Sequence, residues 1–228
     1  MTRPSSSLLS QPLDKPLLVD ASERVVPLGD LIGAGGEGKV FTVQGAPGVA
    51  AKVYHKNPLG EAQENKLRQM VKLADEEVLS VAAWPRGLLL DPQTKRVRGV
   101  MMLRVADAHE LHELYGTTAR QRFFPQAHWS HLVLAARNAA AAFATMHARG
   151  VVIGDVNQGN LMVDAGMCAR FIDCDSFQVK QRGHTFRCPV GTPHFTPPEL
   201  QAVRLADVDR TPNHDAFGLA VLIFHLLF

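Results

Sequence analysis

The chain has 228 residues, of which 46% are apolar and 20% charged, so it can bury a hydrophobic core and is neither fibrous nor wholly disordered. Its formal net charge of +2 comes from interspersed acidic and basic residues, so no basic face makes nucleic acid the default partner. Three cysteines without a CxxC pair favour free thiols in a reducing compartment over disulfides or zinc.

The N-terminal residues predict a flexible tail that extends to residue 24. Residues 1–16 are rich in Ser and Pro and lack the continuous apolar stretch of a signal peptide, so we expect a cytoplasmic protein. The apolar run at residues 216–228 is shorter than the ~20 residues that a membrane span needs, and it predicts a buried helix. We therefore expect neither a membrane nor a nucleic acid as partner.

A strand, a glycine-rich turn and a second strand are predicted next. The β-favouring residues 25–32 lead into Gly33, Gly35 and Gly38, and residues 41–43 favour another strand. Glycines lack the Cβ atoms that would keep main-chain N–H groups away from phosphate oxygens. The pattern alone also fits an ordinary glycine-rich hairpin. A dinucleotide-binding loop is disfavoured, because such a loop is followed directly by a helix.

The next predicted strand, residues 49–54, carries a single lysine among apolar neighbours. Alternate residues of a strand share a face, so Ala50 and Lys52 point the same way. We predict that an adenine ring lies under Ala50 while Lys52 reaches its phosphates. The alternative is a lysine at a sheet edge whose stem packs on apolar surface.

A helix predicted at residues 58–73 carries candidate acids for pairing with Lys52. Glu64 is the preferred partner. Three other glutamates stay open as alternatives: Glu61, Glu76 and Glu77. The apolar residues 97–105, which include Met102, then predict a buried strand that leads out of a small lobe.

An Ala-rich helix and two loops with acidic residues are predicted in the second half of the chain. The pattern over residues 130–149 predicts a helix that is ended by Gly150. Beyond it, Asp155 and Asn160 lie between two β-like runs, and a further strand-like run, residues 169–175, ends in acid at Asp173 or Asp175. Acids and an amide oxygen at strand ends form the oxygen site that Mg²⁺ uses with nucleotide phosphates.

Taken in chain order, these motifs resemble the protein kinase family. The matching segments are Gly33-x-Gly35-x-x-Gly38-x-Val40, the strand 49–52, Asp155 with Asn160, the triplet 173–175, the segment 191–199 and a helix that starts at residue 214. The resemblance implies an α+β, two-lobed, protein-kinase-like fold. It places a β-rich N-lobe at residues 25–103 and a mostly helical, incomplete C-lobe at residues 104–228, which stops after the Asp215 helix.

The resemblance also implies roles for individual residues. Asp155 is the catalytic base, and Lys52 is paired with Glu64 and holds the ATP phosphates. Asn160 and Asp173 are the implied ligands of Mg²⁺. The remaining implied nucleotide contacts are Gly33, Gly35, Gly38, Val40, Ala50, Met102 and Met162.

A narrower resemblance concerns residues 154–157, 172–178 and 197–200. They are similar to a bacterial group of eukaryotic-like Ser/Thr kinases whose members often carry a C-terminal helix-hairpin-helix region. That region is not expected in this chain, so no DNA binding is implied. The resemblance implies transfer of phosphate from ATP to Ser or Thr hydroxyls of proteins, and it names neither the protein substrate nor the oligomeric state.

Several positions depart from the family pattern. Ile153-Gly154 replaces the usual His-Arg, which removes the arginine that reads a phosphate on the activation loop. Asn157 replaces a lysine near the transferred phosphoryl group. We expect the missing positive charge to lower the transfer rate on the order of 10²-fold or more. A nucleotide-binding pseudokinase and a small-molecule kinase therefore stay open. Asp175 replaces the usual glycine of the metal loop, and we expect it to point elsewhere while Asp173 binds the metal.

One more carboxylate is predicted to have a structural role. Asp215 stands at the start of an apolar helix. A lone buried carboxylate is costly, so we predict that Asp215 is buried and accepts hydrogen bonds from backbone N–H groups of residues 153–155.

Overall fold

A five-stranded antiparallel sheet forms the small lobe of the computed structural model, which describes residues 15–181 and 183–228. The strands are β1 (Leu28–Ala34), β2 (Gly38–Val43), β3 (Ala46–Tyr54), β4 (Gly87–Leu90) and β5 (Val97–Leu103), in the order β1-β2-β3-β5-β4. Period-2 alternation buries one face: Phe41 of β2 lies opposite Ala51 of β3, and both side chains are buried. The strand and glycine-turn pattern read from the sequence is therefore present.

Two helices, α1 (Glu61–Lys72) and α2 (Glu76–Val81), complete this lobe. Helix α1 buries Leu67 and Met70, and Met70 also accepts a hydrogen bond from the indole of Trp84 through its carbonyl at 2.8 Å. Asp75 caps α2, because its carboxylate accepts the N–H of Val78 at 2.9 Å.

The N-terminal segment is ordered over a longer stretch than expected. Residues 1–14 of the predicted tail lie outside the described residues. From residue 15 onward the expectation of a flexible tail is wrong, because Leu18 is buried in the small-lobe core and Val19 exchanges backbone hydrogen bonds with Leu90. The burial of an apolar side chain stabilises this segment by about 1.5–3 kcal/mol.

Helices dominate the large lobe. They are α3 (Leu111–Tyr115), α4 (Thr117–Phe123), α5 (Trp129–Ala148) and α6 (Pro212–Leu227). The Ala-rich face of α5 forms the centre of the core. Phe143 of this helix packs edge-on against Phe171, with 5.0 Å between the ring centroids. Gly150, which follows the end of α5, has a φ of 69°, the left-handed conformation expected of a glycine after a helix.

Two small sheets carry the loops of the large lobe. One contains β6 (Ala108–Glu110), β8 (Leu161–Asp164) and β9 (Ala169–Phe171) in the order β6-β8-β9, and the other contains β7 (Val151–Val152), β10 (Gln178–Gln181) and β11 (His184–Phe186) in the order β11-β10-β7. The loops after β7 and β9 both face the small lobe. The observed architecture confirms the α+β, two-lobed fold with a β-rich first lobe and a mostly helical second lobe.

The described residues contain no helix that combines the length and the apolar character needed to cross a membrane.

Candidate active site

A cavity of about 450 Å³ lies between the two lobes. The glycine turn and β3 form its roof, and residues from β8 and the loop after β9 form its floor. All the residues for which the sequence implied nucleotide or metal contacts line it: Gly33, Gly35, Gly38, Val40, Ala50, Lys52, Met102, Asn160, Met162 and Asp173.

The glycine turn approaches its neighbouring strand closely. A Cβ atom at Gly38 would lie 2.4 Å from the carbonyl oxygen of Val53, so only glycine fits there. At Gly35 a Cβ atom would meet nothing within 4 Å. The turn thus packs tightly against β3 at one end and stays open to the cavity at the other.

The ammonium group of Lys52 is surrounded by carboxylates. It donates hydrogen bonds to Asp173 and to both oxygens of Asp175, at 2.8 and 2.9 Å, and lies 3.7 Å from the carboxylate of Glu37. Burial by itself lowers the pKa of Lys52, but the negative charges of Asp175 and Asp173 outweigh it and raise the pKa above its usual value. Lys52 is therefore a fixed cation at the cavity wall.

The expected pair between Lys52 and Glu64 does not form. Glu64 is buried against Arg96, which donates to its carboxylate from Nε and to the carbonyl of Leu59 from Nη2 at 2.7 Å. The charged residue of α1 that lines a cavity together with Glu37 of the glycine turn is Lys66, two positions later and about 200° further around the helix.

The other candidate glutamates do not pair with Lys52 either. Glu61 and Glu76 are exposed, and Glu77 binds Arg149 at 2.8 Å. Within the described residues, helix α1 thus supplies no acid to Lys52, and the expectation that Glu64 pairs with Lys52 is wrong. Glu64 lies on the same side of α1 as the buried Leu67, one turn before it, and pairs with Arg96 there.

The loop after β7 holds Asp155. The Asp155 carboxylate accepts a hydrogen bond from the hydroxyl of Thr192 at 2.9 Å, and its backbone carbonyl accepts one from the side-chain amide of Asn160 at 3.1 Å. Asn157 shapes the loop, because its side-chain oxygen accepts the N–H groups of Gly159 and Asn160 at 2.9 and 3.0 Å. In place of a cation, Asn157 therefore provides a loop-closing amide.

Asp173 and Asp175 occupy different environments. The side chain of Asp173 is 48% exposed and lines the cavity, with φ at 58° in the left-handed region that non-glycine residues rarely adopt. Asp175, on the short 3₁₀ helix Cys174–Ser176, is 5% exposed in its side chain and also accepts the hydroxyl of Tyr54 at 2.6 Å. The expectation that Asp175 points elsewhere is wrong, because the 3₁₀ turn returns its carboxylate to Lys52.

The residues at the floor of the cavity fit a magnesium ion bound together with phosphates. Asn160 donates through its amide nitrogen to Asp155, which leaves its amide oxygen available, and Asp173 offers a half-exposed carboxylate beside it. Across the described ranges no three His, Cys, Asp or Glu side chains cluster in a way that could hold a metal by themselves. One carboxylate and one amide suit Mg²⁺, which takes its other ligands from phosphates and water.

Asp215 anchors the loop that carries Asp155. It is 1% exposed, and its carboxylate accepts the N–H groups of Ile153 and Gly154 at 2.8 Å each, together with Nε2 of His147 at 2.8 Å. The predicted burial and backbone hydrogen bonds of Asp215 are confirmed.

Two contacts at Lys52 were missed by the sequence reasoning. Tyr54 lies two residues after Lys52 on the same face of β3, so the alternation that paired Ala50 with Lys52 could also have indicated Tyr54. Glu37 lies inside the glycine turn, where no local pattern indicates the direction of its side chain. Burial, followed by the charge of Asp175, raises the pKa of the Glu37 carboxyl.

The fold and the cavity together define a two-lobed protein of the kinase-like class, with a glycine turn and a lysine above a loop pair that carries Asp155, Asn160 and Asp173. The family model of the protein kinase domain matches residues 27–228. The chain therefore belongs to the protein kinase family.

Two curated proteins are similar to the chain. Protein kinase YegI of Escherichia coli O157:H7 is 41% identical over 215 residues, which cover 94% of this chain and 33% of that protein. Protein kinase YegI of Escherichia coli strain K12 is 42% identical over 202 residues, covering 88% and 31%. The chain thus spans about a third of the length of these relatives.

Among solved structures, the ROP18 kinase domain in complex with AMP-PNP and sucrose matches with a TM-score of 0.65 and 16% sequence identity. The match covers 94% of this chain and 68% of that one, and it establishes likeness of fold.

Proposed function

We propose that the protein is an ATP- and Mg²⁺-dependent kinase that transfers the γ-phosphate to Ser or Thr hydroxyls of a protein substrate. The observation that carries this proposal is the 2.9 Å hydrogen bond from the Thr192 hydroxyl to the Asp155 carboxylate. An aliphatic hydroxyl of the kind to be phosphorylated fits against this acid. Asn160 lines the cavity and donates a hydrogen bond to the backbone carbonyl of Asp155. The acceptor hydroxyl at Asp155 would therefore lie next to a nucleotide bound in the cavity.

The residues around the cavity have complementary tasks in this proposal. Asp155 orients the substrate hydroxyl and accepts its proton, and Lys52 with the glycine turn holds the nucleotide phosphates. Asn160 and Asp173 would hold Mg²⁺, which when bound neutralises negative charge on the phosphates. The solved ROP18 kinase domain carries AMP-PNP, which supports a nucleotide as the ligand of this cavity.

A protein is the favoured substrate class, and the cytoplasm the favoured location. Residues 191–199 match the segment that is typical of protein-substrate kinases, which argues against a small-molecule kinase. The three cysteines of the sequence are all free in the structure, which supports a reducing compartment.

The test is phosphate transfer by the full-length protein with [γ-³²P]ATP and MgCl₂, on itself and on casein, followed by phosphoamino-acid analysis. We expect phosphoserine or phosphothreonine, and a loss of 10²-fold or more in Asp155→Asn because the hydroxyl loses its proton acceptor. The matched control is Asp30→Asn, which removes an exposed small-lobe carboxylate outside the cavity lining.

Nucleotide binding without any transfer would contradict the catalytic proposal and identify a pseudokinase. The structure gives this alternative a specific basis, because Asn157 supplies no cation at the catalytic loop. Equal transfer by wild type and Asp155→Asn would remove Asp155 from its proposed role.

A further inference from the structure

The three carboxylates near Lys52 differ in how firmly they are held. Glu37 sits on the glycine turn, with a side chain 55% exposed and 3.7 Å from the Lys52 ammonium. Asp173 is half exposed and faces the cavity where the proposed function places the metal. Asp175 alone of the three is buried, with a side chain 5% exposed. A contact that keeps Lys52 in place after Asp173 binds a metal must therefore come from Asp175.

The position of Asp175 is fixed by the fold on both sides. Both of its carboxylate oxygens accept hydrogen bonds from Lys52, and Oδ2 also accepts the hydroxyl of Tyr54 at 2.6 Å. Tyr54 is 3% exposed and belongs to the same strand as Lys52. Next to Asp175, the side chain of Cys174 is fully packed in the large-lobe core. The two lobes thus meet in one buried, charge-assisted cluster.

Helix α1 offers no acid for this task. Its one buried glutamate, Glu64, is bound to Arg96 on the far side of the helix. The charged residue that α1 contributes beside Asp175 and Glu37 is Lys66, which lines a second cavity of about 440 Å³ with them. The positive charge of Lys66 favours the Asp175 carboxylate across this cavity, and it disfavours a shift of Lys52 toward α1 because the two cations repel each other.

We propose that Asp175, held by Tyr54, is the positioning residue that orients Lys52 toward the nucleotide phosphates, in place of an acid from helix α1. This inference rests on the proposed function, since it assumes that Lys52 binds phosphates. The two carboxylates of the loop then have separate tasks: Asp173 faces the metal, and Asp175 faces the lysine. Neither task depends on a movement of α1.

The experiment compares ATP with adenosine, because Lys52 acts on phosphates and not on the base. Affinities of the full-length protein for Mg·ATP and for adenosine are measured by isothermal titration calorimetry. In Asp175→Asn we expect a loss of ATP affinity of about 10-fold or more, as for removal of a charged hydrogen-bond partner, and adenosine affinity within about twofold of wild type. In Tyr54→Phe we expect a loss of ATP affinity of about 3-fold in the same selective pattern.

If Asp175 only maintained the shape of the cleft, its replacement would give a different result, since a distorted cleft loses affinity for adenosine and for ATP together. Equal losses for both ligands, or no loss for either, would overturn the inference while leaving ATP binding by the wild type intact. A folded wild-type protein that binds no ATP would instead overturn the proposed function. If Asp175→Asn does not fold, Tyr54→Phe decides, and non-selective or unchanged binding in that variant rejects the inference. Asp30→Asn serves as the charge-matched control.

Discussion

Replacing Asp215 by alanine should destabilise the large lobe strongly, because its carboxylate is the acceptor for one buried and one partly buried backbone donor. The N–H groups of Ile153 and Gly154 would each lose a partner at 2.8 Å. An unsatisfied buried donor costs about 1–3 kcal/mol, so the two together predict a loss of about 4 kcal/mol in the free energy of unfolding. Domains have about 5–15 kcal/mol in total, so this single change removes a large part of the stability.

The loss can be measured by urea unfolding of the full-length protein, followed by circular dichroism, and by the thermal midpoint, which should fall by roughly 8–16 °C. Asp215→Asn keeps one acceptor oxygen and should lose about half as much. The control is Asp207→Ala, whose side chain is 65% exposed and pairs with an exposed Arg204 at 3.6 Å, so the expected change is at most about 0.5 kcal/mol. A loss below about 1 kcal/mol in Asp215→Ala, or an equal loss in the control, would refute the anchoring role.

Two further predictions concern thiol chemistry and backbone conformation. Burial raises the pKa of the Cys174 and Cys188 thiols, so little thiolate forms at pH 8, and Ellman's reagent should modify the exposed Cys168 rapidly and the other two only after unfolding. Fast reaction of all three thiols in the native protein would show that the cores around them are open. Gly154→Ala should cost about 1–3 kcal/mol in the same urea assay, since φ is 74° and the new Cβ atom would lie 2.8 Å from Cys188. Gly48→Ala, with open space around its Cβ position, should unfold like the wild type.

Local periodicity was sufficient for the small-lobe wall of the site. Strand alternation put Ala50 and Lys52 on one face, and both line the cavity. The short separation between Asp155 and Asn160 likewise keeps them in one loop, where they are hydrogen-bonded. In both cases the residues are close together in the chain, so local backbone geometry fixes their relative positions and the packing of distant segments has little effect on them.

The partner of Lys52 was not predictable in the same way. The apolar spacing of α1 located the helix, but it did not indicate that Glu64 would bind Arg96, a residue 32 positions away in the chain. A helix turns by about 100° per residue, so Glu64 and Lys66, two positions apart, lie on nearly opposite sides of α1 and cannot both face Lys52.

The sequence by itself determined the order of the motifs, and their resemblance to the protein kinase family implied the two-lobed architecture and most of the residues that line the cavity. The tertiary structure alone decided that Asp175 binds Lys52 and Tyr54, residues 123 and 121 positions away in the chain. Contacts within a strand or a loop follow from local backbone geometry, whereas a contact between distant segments depends on how the two lobes and the 3₁₀ turn at Cys174–Ser176 pack together.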